Sequence, residues 1–357
     1  DALAAGRHRG AVVTHAARPL DRVVFVCPGH GGQWPGMGRA LLAESAAFAE
    51  TVDACDAALR PHTGWSVRVA LAGGEGLPPF DRPDVVQPAL FAMALGLAAV
   101  WRALGLEPAA VVGHSVGEVA AAVIAGALSL DDGARVIAAQ GLFTAKVACV
   151  GAMLSVGLPA AEVIARLAPW AGRLSLAVIN SDRLCAVSGD PDAIAALARA
   201  LSADEVFCRP TRIGYAGHGH HLDAIGDAFG DAIDGIAPRA ATLPLYSATA
   251  GARIDGPEMN TDFWWRNLRD PVRFDRAVDA LAADGGVAFI ELCGHPALVA
   301  ALTDHLGPRC FAVGAQQRQT AGLAGVHRAL GALHTAGLPI AWSGLLGDGP
   351  VAALPAG

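Results

Sequence analysis

The chain has 357 residues, with 33 acidic and 26 basic side chains and a formal net charge of −7. A chain of this length is longer than those that usually fold around a single hydrophobic core, which predicts one large domain with an insertion, or two domains. With 53% hydrophobic and 17% charged residues the composition excludes a disordered polymer, and the acidic balance argues against a nucleic-acid partner.

The seven cysteines form no Cys-x-x-Cys pair, are odd in number and mostly lie in apolar runs. Such cysteines are typical of reduced, buried thiols, so we expect a cytoplasmic protein without a disulfide framework. The longest apolar stretch, from Pro88 to Trp101, is too short to cross a bilayer. We therefore expect no membrane partner.

The first predicted elements alternate between strand and helix. Residues 1–20 are polar and indicate a linker, and the β-branched run from Val23 to Cys27 predicts a buried strand. A glycine-rich loop, Pro28 to Gly38, leads into a predicted helix from Arg39 to about Leu59. A second helical pattern covers Gln87 to Leu104.

The next predicted strand, Ala109 to Val112, ends in a sharp turn. The turn covers Gly113 to Gly117, and the alanine-rich segment from Glu118 to Ala127 predicts a helix. This repeated order of strand, loop and helix is typical of a parallel α/β sheet.

Between residues 151 and 212 the pattern changes to short strands around two helices, Ala160 to Leu167 and Pro191 to Leu201. The order βαββαβ predicts a ferredoxin-like subdomain inserted into the larger fold. Its predicted strands are Met153 to Val156, Leu174 to Val178, Cys185 to Ser188 and Val206 to Cys208.

After the insertion the α/β pattern resumes, with predicted strands at Leu243 to Tyr246 and Val287 to Leu292. We therefore assign residues 21–150 and 213–315 to one large subdomain. Residues 316–357, which include a predicted helix near Leu330, are assigned to a C-terminal linker.

Residues 113–117 read Gly-His-Ser-Val-Gly and match the Gly-x-Ser-x-Gly nucleophile elbow. The motif alone is weak in a chain with 43 glycines, but here a β-branched run precedes it and a predicted helix follows it. The context predicts Ser115 as a nucleophile, with the N–H of Val116 as one donor to an oxyanion. The loop after the first strand is expected to supply a second N–H.

A serine nucleophile needs a base, and the densest histidine cluster is His218, His220 and His221. The three could instead bind zinc, but neither a carboxylate nor a cysteine lies at ligand spacing, so we expect no metal. The glycine-rich loop after the first strand lacks the Lys-Ser/Thr of a phosphate-binding loop.

Several motifs together resemble one family, the acyltransferase domains of modular polyketide synthases, and the resemblance covers essentially the whole chain. It implies an α/β fold, with a large α/β-hydrolase-like subdomain, its parallel sheet, and the inserted ferredoxin-like subdomain. The motifs are PGHGGQWPGMG, VVQPAL, GHSVGE, YAGH, NLRDPVRF, FIELCGHPAL and the linker sequence HTAGLPIAW.

The resemblance also implies roles for individual residues. Ser115 would carry the acyl group and His218 would be its base, oriented by a backbone carbonyl near Ser247 or Ala248. The oxyanion donors would be the backbone N–H groups of Val116 and His30, although the family usually has glutamine at position 30. The residues implied to bind substrate are Gln87, His114, Gln140, Tyr215 and Gly217.

Enzymes of this family need no bound cofactor. Acyl-CoA is the donor substrate, and the phosphopantetheine arm of an acyl carrier protein is the acceptor. The resemblance thus implies an acyl carrier protein and neighbouring polyketide synthase domains as partners. A basic patch is expected to contact the carrier, with four candidate arginines, Arg266, Arg269, Arg273 and Arg276.

Gln140 departs from the family pattern, because members that select extender units have an arginine there for the free carboxylate of malonyl groups. Arg135 lies about 140° away around a helix and cannot replace it. A neutral pocket predicts a short, branched monocarboxylic acyl group, as in loading of a starter unit; Gly217 is expected to leave room beside the base. An extender acyltransferase or acyl shuttle, a thioesterase and a silent docking domain are the alternatives.

Overall fold

The computed structural model describes residues 20–342, except residues 77–78, 149, 212–213 and 284–285. The predicted N-terminal linker, apart from its last residue, and the end of the predicted C-terminal linker lie outside the described residues. All six cysteines in the described part of the chain are free thiols, as the sequence predicted.

In the described part of the chain, eleven strands form two sheets. In chain order they are β1 (Arg22–Cys27), β2 (Ala110–Gly113), β3 (Ala152–Val156), β4 (Leu174–Ser181), β5 (Leu184–Gly189), β6 (Cys208–Pro210), β7 (Leu245–Ser247), β8 (Ala252–Ile254), β9 (Val272–Arg273), β10 (Val287–Glu291) and β11 (Cys310–Gly314).

Thirteen α-helices are described, together with short 3₁₀ segments at Ala168–Trp170, His220–Ile225 and Gly307–Arg309. The helices are α1 (Arg39–Glu44), α2 (Ala46–Thr63), α3 (Val67–Ala72), α4 (Pro83–Ala103), α5 (Gly117–Ile124), α6 (Leu130–Lys146), α7 (Ala160–Leu167), α8 (Pro191–Ala203), α9 (Gly226–Ile233), α10 (Thr261–Arg269), α11 (Phe274–Leu281), α12 (Val299–Leu306) and α13 (Leu323–Thr335).

The large subdomain is built on a six-stranded sheet in the order β11-β10-β1-β2-β7-β8. The first five strands pair in parallel and β8 pairs antiparallel to β7. Strands β1, β2 and β10 are buried almost throughout, which explains their continuous apolar sequences. The predicted α/β class is confirmed.

Helices cover both faces of this sheet. One face packs against a large cluster that includes α2, α4, α5 and α6, and the other face packs against α11 and α12. Among the described residues, one helix, α4, is long and apolar enough to cross a membrane, but 89% of its most apolar window is buried inside the fold. Packing in the core of the fold therefore explains why the sequence of α4 is so apolar.

The small subdomain has its own sheet, in the order β6-β3-β5-β4-β9. Strands β3, β4, β5 and β6 are antiparallel, and α7 and α8 cover them around a separate apolar core. This is the predicted ferredoxin-like arrangement. The fifth strand, β9, comes from residues 272–273 and pairs in parallel with β4, so residues outside the predicted segment 151–212 complete the sheet.

Three sequence expectations differ from the structure. The single helix predicted from Arg39 to Leu59 is divided at Ser45, whose hydroxyl accepts a hydrogen bond from the N–H of Phe48 and caps α2. Strand β11 was missed, although its five residues, CFAVG, are as many as those of the strand predicted from Val23 to Cys27. Helix α13 lies in the predicted C-terminal linker, yet Val326, Leu330 and Leu333 are buried in the core of the large subdomain.

The loops after β1 and β2 approach each other very closely. A Cβ atom on Gly117 would lie 2.1 Å from the carbonyl oxygen of Cys27 and 2.6 Å from that of Pro28. Both neighbours are backbone atoms, which cannot rotate away. Glycine at position 117 is therefore required for the two loops to pack together.

We predict that Gly117→Ala destabilises the protein by at least about 3 kcal/mol, because the added methyl group overpacks backbone in the core. Chemical denaturation monitored by circular dichroism measures this change. Gly331→Ala is the matched control: it lies in α13 with open space beside it, and alanine is expected to stabilise that helix by up to about 1 kcal/mol. Equal stability of the two variants would contradict the packing argument.

Candidate active site

Ser115 lies in a sharp turn between β2 and α5, with a left-handed backbone at φ 53°. A Cβ on Gly113 would lie 2.3 Å from the Cα of Glu118, so the glycine lets the strand and the helix meet. A positive φ at a non-glycine residue is a strained conformation that persists only when its surroundings enforce it. The structure thus forms the elbow that the Gly-x-Ser-x-Gly sequence predicts.

The side chains of Ser115 and His218 are in hydrogen-bond contact. Ser115 Oγ lies 2.8 Å from His218 Nε2, and the other ring nitrogen, Nδ1, lies 3.0 Å from the backbone oxygen of Asp270. A carbonyl oxygen can only accept, so Nδ1 carries the proton and Nε2 accepts from the serine hydroxyl. This tautomer can take a proton from Ser115.

The orienting carbonyl belongs to Asp270, and the expectation of Ser247 or Ala248 is wrong. Ser247 instead donates its hydroxyl to Glu118, and the Ala248 oxygen accepts from the N–H of Arg273. The carbonyl could not be identified from the sequence because every residue type carries the same backbone oxygen.

The backbone of His218 is fixed as well as its ring. Its φ is 56°, and its N–H donates to the carbonyl of Leu268 at 3.1 Å. Burial, with smaller contributions from the neighbouring His114 and His30, lowers the pKa of His218 to about 4. The imidazole is therefore neutral at physiological pH, as a general base must be.

The two expected oxyanion donors are the N–H of Val116, the residue after Ser115, and the N–H of His30 in a neighbouring loop. A Cβ on Gly29 would lie 3.4 Å from the Cβ of Ser115, so the loop that carries His30 borders the serine. Among the described residues, neither the His30 N–H nor the Val116 N–H donates a hydrogen bond to another protein atom. Both N–H groups are thus available to a negatively charged oxygen.

Two of the implied substrate-binding residues contact each other. Gln87 is fully buried, and its Nε2 donates to Thr144 Oγ1 at 3.1 Å and to Tyr215 Oη at 3.3 Å. The Tyr215 ring packs edge-on against His30, with 5.9 Å between ring centres. The space beside Gly217 is bordered by the same ring, 3.3 Å from where a Cβ would lie, so there is less room beside the base than expected.

His114 connects the two subdomains. Its Nε2 lies 2.8 Å from Asn180 Oδ1 on β4, while its Nδ1 is buried without a partner in the described structure. Both residues line a cleft of about 560 Å³ between the subdomains, together with His30, Met153 and Arg209. A cleft of this size can hold an elongated ligand.

Gln140 is completely buried and does not face solvent. Its Nε2 donates to Asn267 Oδ1 at 2.9 Å, and Asn267 Nδ2 donates to the backbone oxygen of Ser115 at 3.1 Å. Residue 140 is therefore two hydrogen bonds away from the nucleophile. Sequence reasoning missed Asn267, although it lies in the NLRDPVRF motif.

Glu118 anchors the other side of the same network. Its carboxylate accepts from the hydroxyl of Ser247 and from both the N–H and the hydroxyl of Thr249, at 2.7 to 2.8 Å. Burial raises the pKa of Glu118 to about 7 despite these hydrogen bonds. Asn267 Nδ2 also donates to Thr249 Oγ1 at 3.1 Å, so the network is continuous from Glu118 to Gln140.

The structure does not place the other histidines of the loop in the dyad. His220 and His221 lie instead beside Asp190 of the small subdomain, and the His221 Nε2 is 3.0 Å from Asp190 Oδ1. The sequence cluster therefore divides into one histidine at the serine and two at the junction between subdomains.

Comparison with known proteins identifies the family of the chain. A family profile described as "Acyl transferase domain" matches residues 24–339. The chain is 41% identical over 346 residues to polyketide synthase GfsE of Streptomyces halstedii, and 38% identical over 360 residues to erythronolide synthase EryA2 of Saccharopolyspora erythraea. These matches cover 94% and 99% of the chain, but 9% and 10% of those much longer proteins.

Solved structures give the same result. The acyltransferase domain from module 8 of the salinomycin polyketide synthase is 41% identical, with a TM-score of 0.88 over 90% of this chain and 77% of that one. A loading acyltransferase from the avermectin modular polyketide synthase is 39% identical, with a TM-score of 0.85 over 87% of this chain and 99% of that one. The chain belongs to the family of acyltransferase domains of modular polyketide synthases.

Proposed function

We propose that this acyltransferase moves a short, branched monocarboxylic acyl group from acyl-CoA to the phosphopantetheine thiol of an acyl carrier protein, through an ester on Ser115. The observation that carries the acyl transfer is the 2.8 Å contact between Ser115 Oγ and His218 Nε2, with the ring tautomer fixed by the Asp270 carbonyl. The observation that supports a monocarboxylic substrate is the burial of a neutral side chain, Gln140, at the position expected to recognise a carboxylate.

In the first half-reaction, Ser115 Oγ attacks the thioester carbonyl while His218 Nε2 takes the hydroxyl proton. The oxyanion that forms is stabilised by the N–H groups of Val116 and His30. Collapse of the tetrahedral intermediate breaks the carbon–sulfur bond, and the leaving CoA thiolate takes the proton from His218. An acyl ester on Ser115 and free CoA are the products.

The second half-reaction runs in the opposite sense. His218 takes the proton of the phosphopantetheine thiol, and the sulfur attacks the ester carbon. The carbon–oxygen bond then breaks, and the Ser115 oxygen recovers its proton from His218. Water in place of the thiol would give hydrolysis, which is the thioesterase alternative.

The Asp270 carbonyl has two effects on this chemistry. It holds the imidazole in the orientation that points Nε2 at the serine, and its dipole stabilises the imidazolium that forms transiently. Burial keeps the resting imidazole neutral, because it lowers the pKa to about 4. The dyad thus acts without a carboxylate beside the base.

The surroundings of Gln140 support a monocarboxylic substrate. Arg135 cannot supply a positive charge there, since its Nε donates to the Ala232 carbonyl. The Oε1 atoms of Gln140 and Gln87 are both buried without partners in the described structure. Both side chains are neutral amides, which donate or accept a hydrogen bond but cannot balance the charge of a second carboxylate.

Magnitudes favour this choice of substrate. A buried carboxylate without a cationic partner costs about 3 to 5 kcal/mol, and each 1.4 kcal/mol is a factor of ten. Loading of malonyl or methylmalonyl groups should therefore be roughly 10² to 10³ slower than in an enzyme with arginine.

Overall similarity does not separate starter loading from extender selection, because the two solved domains above are 41% and 39% identical to this chain.

The carrier protein is the expected partner, but the basic patch suggested by the sequence is partly neutralised. Arg269 pairs with Asp223, and Arg273 pairs with Asp275. Arg209 lines the cleft and suits the phosphate of the arriving phosphopantetheine or CoA. Neighbouring synthase domains and a cytoplasmic location, where acyl-CoA is found, complete the proposal.

Ser115→Ala is expected to abolish the acyl-enzyme, and His218→Ala to slow its formation by roughly 10² to 10⁴. Alanine at His220 or His221 should change the rate by less than about threefold, since neither lies in the dyad. Intact mass spectrometry after incubation with isobutyryl-CoA measures each. A labelled Ser115→Ala protein would contradict the dyad, and an unlabelled wild type would support the docking-domain alternative.

The pH dependence of acylation follows from the low pKa of His218. With a pKa of about 4, the base stays neutral from pH 8 down to about 5, so the single-turnover rate should vary less than about twofold. A histidine with its ordinary pKa would make the rate at pH 5 roughly 25-fold lower than at pH 7. Circular dichroism at each pH checks that the protein stays folded. A tenfold fall in the acylation rate between pH 7 and pH 5, while the protein remains folded, would contradict the role of His218.

Gln140→Arg tests the substrate class. The guanidinium would lie near Asn267 Oδ1, which can accept from it, and should raise acylation by malonyl- or methylmalonyl-CoA while lowering acylation by isobutyryl-CoA. We expect the ratio to change at least tenfold in an equimolar mixture, read by intact mass. Gln140→Leu is the uncharged control and should not gain malonyl loading.

Either of two results would reject starter loading. The wild type would already prefer malonyl-CoA, which supports the extender alternative, or Gln140→Arg would leave the ratio unchanged. Rapid loss of the acyl group in water without a carrier protein would support the thioesterase alternative.

A further inference from the structure

Three potential metal ligands meet where the loop after His218 reaches the small subdomain. Asp190, His220 and His221 each offer one ligand atom, and these atoms all lie within 4.8 Å of one another. The His221 Nε2 is 3.0 Å from Asp190 Oδ1, and the two imidazole rings are 4.2 Å apart between centres. The three residues take no part in the dyad.

The carboxylate that the loop sequence lacks comes from a distant part of the chain. Asp190 directly precedes α8, thirty positions before His220. The loop packs tightly onto the small subdomain, since a Cβ on Gly219 would lie 2.9 Å from Ser188 Oγ. The loop sequence has no carboxylate at ligand spacing, but the folded protein brings Asp190 to the two histidines.

We propose that Asp190, His220 and His221 form a Zn²⁺ site that joins the small subdomain to the loop carrying the catalytic base. Two imidazoles and one carboxylate are ordinary zinc ligands, and water would complete a tetrahedron. Bonds of about 2.0 to 2.1 Å place tetrahedral ligand atoms about 3.4 Å apart. The ligand atoms of the three residues already lie within 4.8 Å of one another, which is close to that spacing.

The local charges suit a divalent cation. Arg173 pairs with both Asp190 and Asp192, and Arg269 pairs with Asp223, so in the described part of the chain three carboxylates here meet two guanidinium groups. Arg173 binds Oδ2 of Asp190, which leaves Oδ1 for the metal.

A bound ion would restrain the position of the base. His220 is two residues after His218, and both subdomains supply ligands, so the metal would resist separation of the loop from the small subdomain. Zinc is a structural brace in this proposal, and the acyl-transfer steps do not use it.

The test is a zinc titration of tag-free protein against a chromophoric chelator at pH 7.5. We expect one Zn²⁺ per chain, and an affinity at least tenfold lower in each of His220→Gln, His221→Gln and Asp190→Asn. His62→Gln is the matched control, because His62 is an exposed histidine at the end of α2. Zn²⁺ should also raise the melting temperature of the wild type and of the control, but not of the three variants.

Circular dichroism without zinc shows whether each variant folds, and three separate substitutions protect the test against the loss of any one. Stoichiometry below one, or an affinity unchanged in all folded variants, would overturn the site. An equal loss in His62→Gln would show that zinc binds surface histidines without selection and would also overturn it. None of these readouts depends on acyl transfer.

Discussion

The close approach of the loops after β1 and β2 is the constraint on which the site depends. The two strands are parallel neighbours, so their carboxyl ends share one edge, and the His114 N–H donates to the Cys27 carbonyl at 3.0 Å. Gly117 lets the loops touch, since any side chain there would meet backbone oxygens. As a result, the loop that carries His30 borders Ser115 at the edge of the sheet where β1 and β2 end.

A buried polar network holds the backbone of the elbow in place. It runs from Glu118 through Thr249 and Asn267 to Gln140, and Asn267 also holds the Ser115 carbonyl. Hydrogen bonds in such a network depend on one another, because a buried group that loses its partner is strongly destabilised. Gln140 is thus joined to the backbone of the nucleophile through Asn267, and a substitution at position 140 acts on both.

The fold and the elbow could be predicted from the sequence because their signals are local. β-branched runs mark the buried strands, and the turn needs small residues at Gly113 and Gly117, where no Cβ fits. The carbonyl that orients the base gives no such signal, since any residue could supply it. Asn267 and Asp190 meet their partners across more than twenty intervening residues, and a single sequence does not indicate which distant segments come together.

The segment that holds the base continues directly into the small subdomain. The Leu268 and Asp270 carbonyls fix the backbone and ring of His218, and β9, two residues later, is a strand of the small sheet. A chimera that exchanges residues 151–212 alone would therefore pair the sheet of one enzyme with β9 of another, and β9 directly follows the carbonyls that hold His218. In a chimera of related enzymes, residues 267–273 should therefore be exchanged together with the small subdomain. The exchanged unit is then discontinuous in the chain but continuous in space.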